Sequence, residues 1–222
     1  MTGPLTLPYD IYCLVIDVIA AEDDLPLLYS TLCACALTSP SWGPRAHFHL
    51  YRRVVLHTRK AFLCFARTIS DSPQFASLVE HIDVKVSPAH NCGWPHDHRQ
   101  IDVSFPAHAV GQMVHLKSAR FTSSFQFAQA PQSLVALVRA FAACVGLRKL
   151  CLHRFFFPEF KELVTTLWSF PRMTSLSVVE CSWSIPRSGL ELPDAYAFPA
   201  RCHSLTSLFV RVYTMIDYEC AR

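Results

Sequence analysis

MTSLSV, which occupies residues 173–178, has near copies on both sides of it in the chain. LRKLCL occupies 147–152 and LTSLFV occupies 205–210, so the three segments share the form apolar-x-x-Leu-x-apolar. The alternation of apolar and polar residues at the end of this form predicts a short β-strand with one buried face. MVHLKS (113–118) keeps only the first half of the form, and LVEHIDV (78–84) is a looser relative.

The five segments recur at nearly regular intervals along the chain. Their central residues are 34, 34, 26 and 32 residues apart, at Ile82, Leu116, Leu150, Leu176 and Leu208. One strand and one helix per period of about 30 residues is the pattern of a leucine-rich solenoid, in which each unit exposes an apolar face that only its neighbours can cover. We therefore expect an α/β chain in which residues 54–222 form an irregular leucine-rich-repeat-like domain.

The remaining pattern of residues 54–222 predicts the individual elements. The strand candidates are 54–56, 82–86, 150–152, 176–178 and 208–210. The helix candidates are 61–69, 73–79, 134–145 and 158–170. Two irregular stretches, 87–106 and 184–199, predict long connections. The sequence ends with ECAR (219–222) and no polar cap, so we expect a short domain of this kind or a truncated gene product.

The first fifty residues predict three helices. In the first helix, apolar residues at i, i+3, i+4, i+7 and i+8 share one face, namely Ile11, Leu14, Val15, Val18 and Ile19. The second helix has a face made of Leu28, Leu32, Cys35 and Ala36. We expect the third helix to begin with Ser39 as its N-cap and Pro40 in its first turn. Its apolar side consists of Trp42, Ala46, His49 and Leu50.

This N-terminal segment resembles the F-box motif, in the divergent form found in large families of fungal proteins. The resemblance covers about residues 5–53 and includes a Leu-Pro start, an aliphatic series, a Cys-x-Leu pair and a Trp. The matching residues are Leu7, Pro8, Ile11, Val15, Ile16, Ile19, Leu32, Cys35, Leu37, Trp42, Leu50 and Tyr51. The resemblance implies a compact three-helix module.

F-box proteins use these helices to bind the Skp subunit of an SCF-type cullin–RING ubiquitin ligase, and their downstream repeats capture a target protein. The resemblance therefore implies a substrate-recognition adaptor in this chain. The candidate contacts with the Skp subunit are Leu7, Pro8, Ile11, Ile16 and Leu32. The candidate core residues of the module are Val15, Ile19, Cys35, Leu37, Trp42 and Leu50. The alternative is a leucine-rich-repeat interaction module that is not incorporated into a ligase.

Composition and charge argue against several other classes of protein. The chain has 51% hydrophobic and 17% charged residues and a net charge of +3, so we expect neither disorder nor a nucleic-acid partner. The most apolar stretch, Leu134–Leu147, contains Arg139 and is shorter than the roughly 20 residues that a membrane span needs. Asp10 and Asp17 interrupt the N-terminal apolar patch, so we expect no signal peptide and a cytoplasmic or nuclear protein with reduced cysteines.

Signals for metal binding and catalysis are weak. His90, Cys92, His96 and His98 are of the residue types that bind zinc, but their spacing fits no structural zinc motif. Cys33 and Cys35 are two residues apart on a predicted helix, so their side chains point in different directions and are not expected to bind one ion together. The glycines form no phosphate-binding loop, and neither H-E-x-x-H nor G-x-S-x-G occurs. We therefore expect no metal, no cofactor and no enzyme activity; a Cys, His and Asp triad assembled in space is the alternative.

Overall fold

The computed structural model describes residues 8–22, 24–86, 110–123, 132–157, 159–183 and 204–212. The chain divides into two compact units between Val54 and Val55, and each unit is treated by itself below. The predicted connections at 87–106 and 184–199, the histidine and cysteine cluster at 90–98, Leu7 and the C-terminal ECAR lie outside the described residues.

The N-terminal unit consists of three helices, α1 (Tyr9–Ala20), α2 (Leu25–Thr38) and α3 (Gly43–Arg52). Asp24 caps α2, since its side chain accepts a hydrogen bond of 3.2 Å from the backbone N–H of Leu27. The third helix was expected to start at Ser39 and Pro40, but these residues lie before it and Pro44 occupies its first turn. A proline fits there because the first helical N–H groups have no partner within the helix.

The core of this unit is small and is centred on Tyr12, Ile16 and Leu32. Partly buried side chains pack around these three residues, namely Cys13, Ile19, Leu28, Trp42 and Leu50. The rings of Tyr12 and Trp42 stack with their centroids 6.0 Å apart. All three helices therefore contribute apolar side chains to one cluster.

The second unit is a mixed α/β structure built on a parallel sheet. Its strands are β1 (Arg53–Leu56, which enters the unit at Val55), β2 (His81–Val86), β3 (Ser118–Ser123), β4 (Lys149–His153), β5 (Phe156–Phe157), β6 (Ser175–Trp183) and β7 (Ser207–Val212). Its described α-helices are α4 (Arg59–Asp71), α5 (Pro73–Ala76), α6 (Gln132–Ala140) and α7 (Phe160–Trp168), and a 3₁₀ turn (Phe141–Ala143) follows α6 directly. The strand order is β1-β2-β3-β4-β6-β5, and β7 pairs with β6. Strands β2 to β7 are joined by parallel pairings.

The strand register corrects one feature of the predicted repeat. Ile82, Leu150, Leu176 and Leu208 occupy equivalent positions, but the residue of β3 in that row is Ala119. Leu116 lies three residues earlier, at the first apolar position of the form. With Ala119 in the row, successive residues of the row are 37, 31, 26 and 32 positions apart in the sequence. Strand β3 was not predicted, because it has alanine where the other strands have leucine or isoleucine.

One backbone contact repeats from strand to strand just before each pairing begins. A single carbonyl accepts hydrogen bonds from two successive N–H groups of the next segment, at distances of 2.8 to 3.1 Å. The accepting carbonyls belong to Glu80, Lys117, Arg148 and Thr174. The apolar residue next to each of the first three carbonyls is buried, and these residues are Val79, Leu116 and Leu147. Each segment is therefore aligned by hydrogen bonds to the one before it.

Gly146 lies where two backbone segments come close together. A Cβ atom there would lie 2.7 Å from the carbonyl oxygen of Val114 and 2.9 Å from that of Leu116. We expect Gly146→Ala to destabilise the protein by about 1–3 kcal/mol, because backbone atoms would have to move. Gly111→Ala is the matched control, since a Cβ atom at that position would meet no other atom within 4 Å. Urea unfolding of both variants tests this, and equal stability of the two would contradict the crowding at Gly146.

Within the described parts of the chain, none of the helices is both long and apolar enough to cross a lipid bilayer. The longest of them is α2, with 14 residues. About 20 apolar residues are needed to span the hydrocarbon core.

Candidate protein-binding surface

Helix α1 carries an apolar stripe that faces solvent. Ile11, Leu14, Val15 and Val18 are 47%, 61%, 40% and 64% exposed. Their spacing of i, i+3, i+4 and i+7 places them on one side of the helix. We call these four residues the α1 stripe. It is distinct from the side of α1 that carries the buried Tyr12 and Ile16.

A three-residue ion cluster holds α1 against α3. The Arg45 guanidinium donates hydrogen bonds of 2.6 and 2.7 Å to the two carboxylate oxygens of Asp17. A ring nitrogen of His49 lies 2.8 Å from the first of these oxygens. Two-point pairing of a guanidinium with a carboxylate fixes orientation as well as distance. The cluster therefore helps to keep the α1 stripe turned away from the core.

The same cluster changes the acidity of its members. Hydrogen bonds from Arg45 and then His49 lower the pKa of Asp17 from 3.8 to about 2. The Asp17 carboxylate in turn raises the pKa of Arg45. The folded state thus binds the proton on Asp17 more weakly than the unfolded chain does, and the carboxylate stabilises the fold whenever it is ionised.

Asp17→Asn is expected to lower the free energy of unfolding at neutral pH by about 1 kcal/mol. The expected loss is small because the side chains of Arg45 and Asp17 are 36% and 37% exposed, and solvent weakens such pairs. The wild-type advantage is complete above the unfolded pKa of 3.8 and is lost as the pH falls toward about 2. Urea unfolding between pH 7 and pH 2 tests this, with Asp10→Asn on the exposed part of α1 as the control. A difference between wild type and Asp17→Asn that grows on acidification would contradict it.

Helix α2 adds a second uncharged surface to the N-terminal unit. Its sequence, LPLLYSTLCACALT, contains no acidic or basic residue. Leu27 is 57% exposed and Leu37 is 88% exposed. A helix whose solvent side lacks charges is unusual for a protein surface, so α2 also offers area that a partner could cover.

The structure separates the candidate contact residues into two groups. Pro8 and Ile11 are exposed, as a contact role requires. Ile16 and Leu32 are instead only 0% and 1% exposed, because both belong to the core cluster. These two residues are therefore not accessible to a partner in this conformation. Leu14 and Val18 are accessible, although the family resemblance did not mark them as contacts.

The candidate core residues also divide. Cys35 is buried, and Ile19, Trp42 and Leu50 pack against the cluster as expected. Val15 and Leu37 were expected in the core but lie at the surface. Val15 falls within the α1 stripe, away from the side that carries Tyr12 and Ile16.

The second unit has an apolar groove of its own. A cavity of about 400 Å³ lies between α7 and strands β6 and β7. Its lining includes Phe160, Leu163 and Leu167 from the helix and Leu208 and Val210 from β7. Leu208 and Val210 are 59% and 53% exposed, whereas their counterparts on β6, Leu176 and Val178, are buried. The apolar rows that are buried on β6 are therefore exposed to solvent where they continue on β7.

The cysteines that the structure describes are free thiols, namely Cys13, Cys33, Cys35, Cys64, Cys144, Cys151 and Cys181. Burial raises the pKa of Cys144 to about 12 and that of Cys181 to about 11, so both thiols are protonated at neutral pH. In the same described ranges, no group of three or more His, Cys, Asp or Glu side chains is arranged to hold a metal ion.

Comparisons with known proteins add no relative from which a function could be transferred. The chain matches no protein-family model, no curated protein and no solved structure.

Proposed function

We propose that this chain is a substrate-recognition adaptor of an SCF-type ubiquitin ligase. In this proposal the N-terminal unit binds a Skp-type subunit as an F-box does, and the second unit binds the target protein. The observation that carries the proposal is the α1 stripe, which presents four aliphatic side chains to solvent. Apolar anchors at i, i+3, i+4 and i+7 are the pattern by which a helix enters a hydrophobic groove of another protein.

The energetics of the stripe support a partner. Burying one Val, Leu or Ile side chain that would otherwise be exposed contributes about 1.5–3 kcal/mol. A contiguous apolar surface of this kind is also a liability for a soluble protein unless something covers it. The ion cluster of Asp17, Arg45 and His49 holds α1 without using the stripe, so the stripe remains accessible.

The second unit supports the repeat part of the proposal. Strands β2, β3, β4, β6 and β7 are parallel neighbours in chain order, and each carries one position of the same apolar row. From β3 onward, each of these strands also follows the same two-amide contact with the preceding segment. A parallel sheet that grows in one direction with repeated local contacts is what a leucine-rich solenoid requires.

One observation favours the alternative of an interaction module outside a ligase. Two of the five candidate Skp contacts, Ile16 and Leu32, are buried in the core of the helical unit. A partner of this unit would therefore meet α1 through the stripe rather than through those two residues. Under the alternative, that partner is a protein other than a Skp-type subunit.

The test is direct binding between the purified full chain and a purified fungal Skp-type subunit. We expect a one-to-one complex by gel filtration and a dissociation constant of about 1 µM or tighter by calorimetry, equivalent to roughly 8 kcal/mol. No complex at tens of micromolar would contradict the ligase proposal. In that case, capture of a different partner that is lost when the stripe is altered would favour the alternative.

A further inference from the structure

The parallel sheet has one face that is covered by the protein and one that is open. Successive side chains of a strand alternate between the two faces, and the register aligns them across neighbouring strands. The rows that include the buried Ile82 and Val84 form the covered face. The intervening rows begin at His81, Asp83 and Lys85 and end on β7 at Ser207, Phe209 and Arg211. We call these three rows the strand face.

The strand face is positively charged. It carries four exposed cationic side chains, Lys85, Arg120, Lys149 and Arg211, and one carboxylate, Asp83. Asp83 lies 3.7 Å from Arg120, whose side chain is 60% exposed. Such an exposed pair contributes little, so Arg120 stays available to another anion.

Acidic groups beside the face are already paired with other cations. Glu80 lies 3.0 Å from Lys117, and Glu180 lies 2.8 Å from Arg154 and 3.4 Å from His153. The hydrogen bond from Arg154, together with the charge of its guanidinium, lowers the pKa of Glu180. These pairs satisfy the two glutamates locally, so the four cations named above determine the charge of the strand face.

The size of the strand face fits a short extended polypeptide. Lys85 and Arg211 lie in one row on strands that are four steps apart, which is about 19 Å at the usual strand separation of roughly 4.8 Å. An extended chain covers that distance with about six residues. Ser175 and Ser207 lie in the same row as Lys149, and Ser177 lies in the same row as Arg120; their hydroxyl groups can hydrogen-bond to carboxylates or to a peptide backbone.

We propose that the strand face binds an acidic polypeptide segment that crosses the sheet. This inference rests on the proposed function and specifies it, because it names the chemical class of the target. A polypeptide is favoured over a nucleic acid, since surfaces for single-stranded nucleic acid combine a cationic groove with several stacking aromatic rings. Among the described residues of the strand face, Phe209 is the one aromatic side chain of the Phe, Tyr or Trp type.

The test uses fluorescence anisotropy with a labelled dodecapeptide of alternating Glu and Ser. The triple variant Lys85→Gln, Lys149→Gln, Arg211→Gln is expected to bind this peptide at least tenfold more weakly than wild type. The matched control removes three exposed cations from helices α4 and α7 of the same unit, by Lys60→Gln, Arg67→Gln and Lys161→Gln. We expect less than a twofold change for the control, and binding by wild type that weakens as salt is raised from 50 to 300 mM.

Three outcomes would overturn the inference. The first is wild-type binding of the acidic peptide no tighter than that of a dodecapeptide of alternating Lys and Ser. The second is equal loss of binding in both triple variants, which would show a nonspecific charge effect. The third is tighter binding of a twelve-nucleotide single-stranded RNA, which would assign the face to nucleic acid.

Binding of the Skp-type subunit is measured on the same proteins and is expected to be unchanged in both variants. If the wild-type protein binds the Skp-type subunit but not the acidic peptide, this inference alone fails, whereas if it binds the peptide but not the Skp-type subunit, the proposed ligase role alone fails.

Discussion

The double variant Leu14→Lys, Val18→Lys is expected to bind a Skp-type subunit at least 100-fold more weakly than wild type while remaining folded. Leu14 and Val18 are the two most exposed members of the α1 stripe, at 61% and 64%. Losing two buried aliphatic contacts, each contributing about 1.5–3 kcal/mol, exceeds the roughly 2.7 kcal/mol that corresponds to 100-fold. The new ammonium groups would also have to leave water at the interface.

The substitution is chosen to leave the helix intact. Lysine has a better helix propensity than valine, and position 14 lies four residues after Asp10 in α1, which favours pairing of the new ammonium group with that carboxylate. The matched control is Leu63→Lys, Val145→Lys, which alters two exposed apolar residues of the second unit, 49% and 60% exposed. Calorimetric titration measures affinity, and circular dichroism verifies folding. Equal affinity of wild type and the stripe variant would refute docking through α1.

Phe121→Ala is expected to remove about 3–5 kcal/mol from the free energy of unfolding, enough to unfold many domains of this size. Phe121 is 1% exposed and lies on β3 between Val84 and Leu152 in the register. Its ring meets that of Phe141 edge-to-face, with centroids 5.1 Å apart. Truncation would leave a cavity in the covered side of the sheet and remove an aromatic pair.

The control for this variant is Thr122→Ala, the next residue along the same strand. Its side chain belongs to the opposite, open face of the sheet, so we expect a loss below about 1 kcal/mol. Urea unfolding followed by circular dichroism provides both values. A loss under about 1 kcal/mol for Phe121→Ala would mean that the space closes without penalty, which would contradict the close packing around Phe121.

The sequence predicted the strands of the second unit better than their exact alignment. Four of the five strand candidates for this region share the apolar-x-x-Leu-x-apolar form or a near variant, and strands form at all five predicted ranges. Met113, Leu116 and Ala119 are spaced three residues apart, so either Met113 or Leu116 could be the first apolar residue of the apolar-x-x-Leu-x-apolar form. Only pairing with β2 and β4 shows that Ala119 occupies the leucine position, because strand register is set by neighbours rather than by the segment itself.

Sequence patterns were less informative about the N-terminal unit. Helix α1 has apolar residues on more than one side, so its periodicity predicts a helix but not which side meets the core. That choice depends on Leu32 and Trp42, which come from other parts of the unit. The ion cluster was likewise not predicted, because Asp17 is 28 residues from Arg45 and 32 from His49. Contacts of this separation are not visible in local spacing.

The carbonyls of Glu80, Lys117, Arg148 and Thr174 each accept two backbone hydrogen bonds from the segment that follows. Each strand is therefore aligned by the segment before it, and in the described structure β7 pairs with β6 on one side only. Fraying that starts at β7 can stop at β6 without disturbing β2, since each link depends on its immediate neighbours. Strand β7 is accordingly where the sheet can loosen first. Its exposed Leu208 and Val210 are also accessible to a second polypeptide.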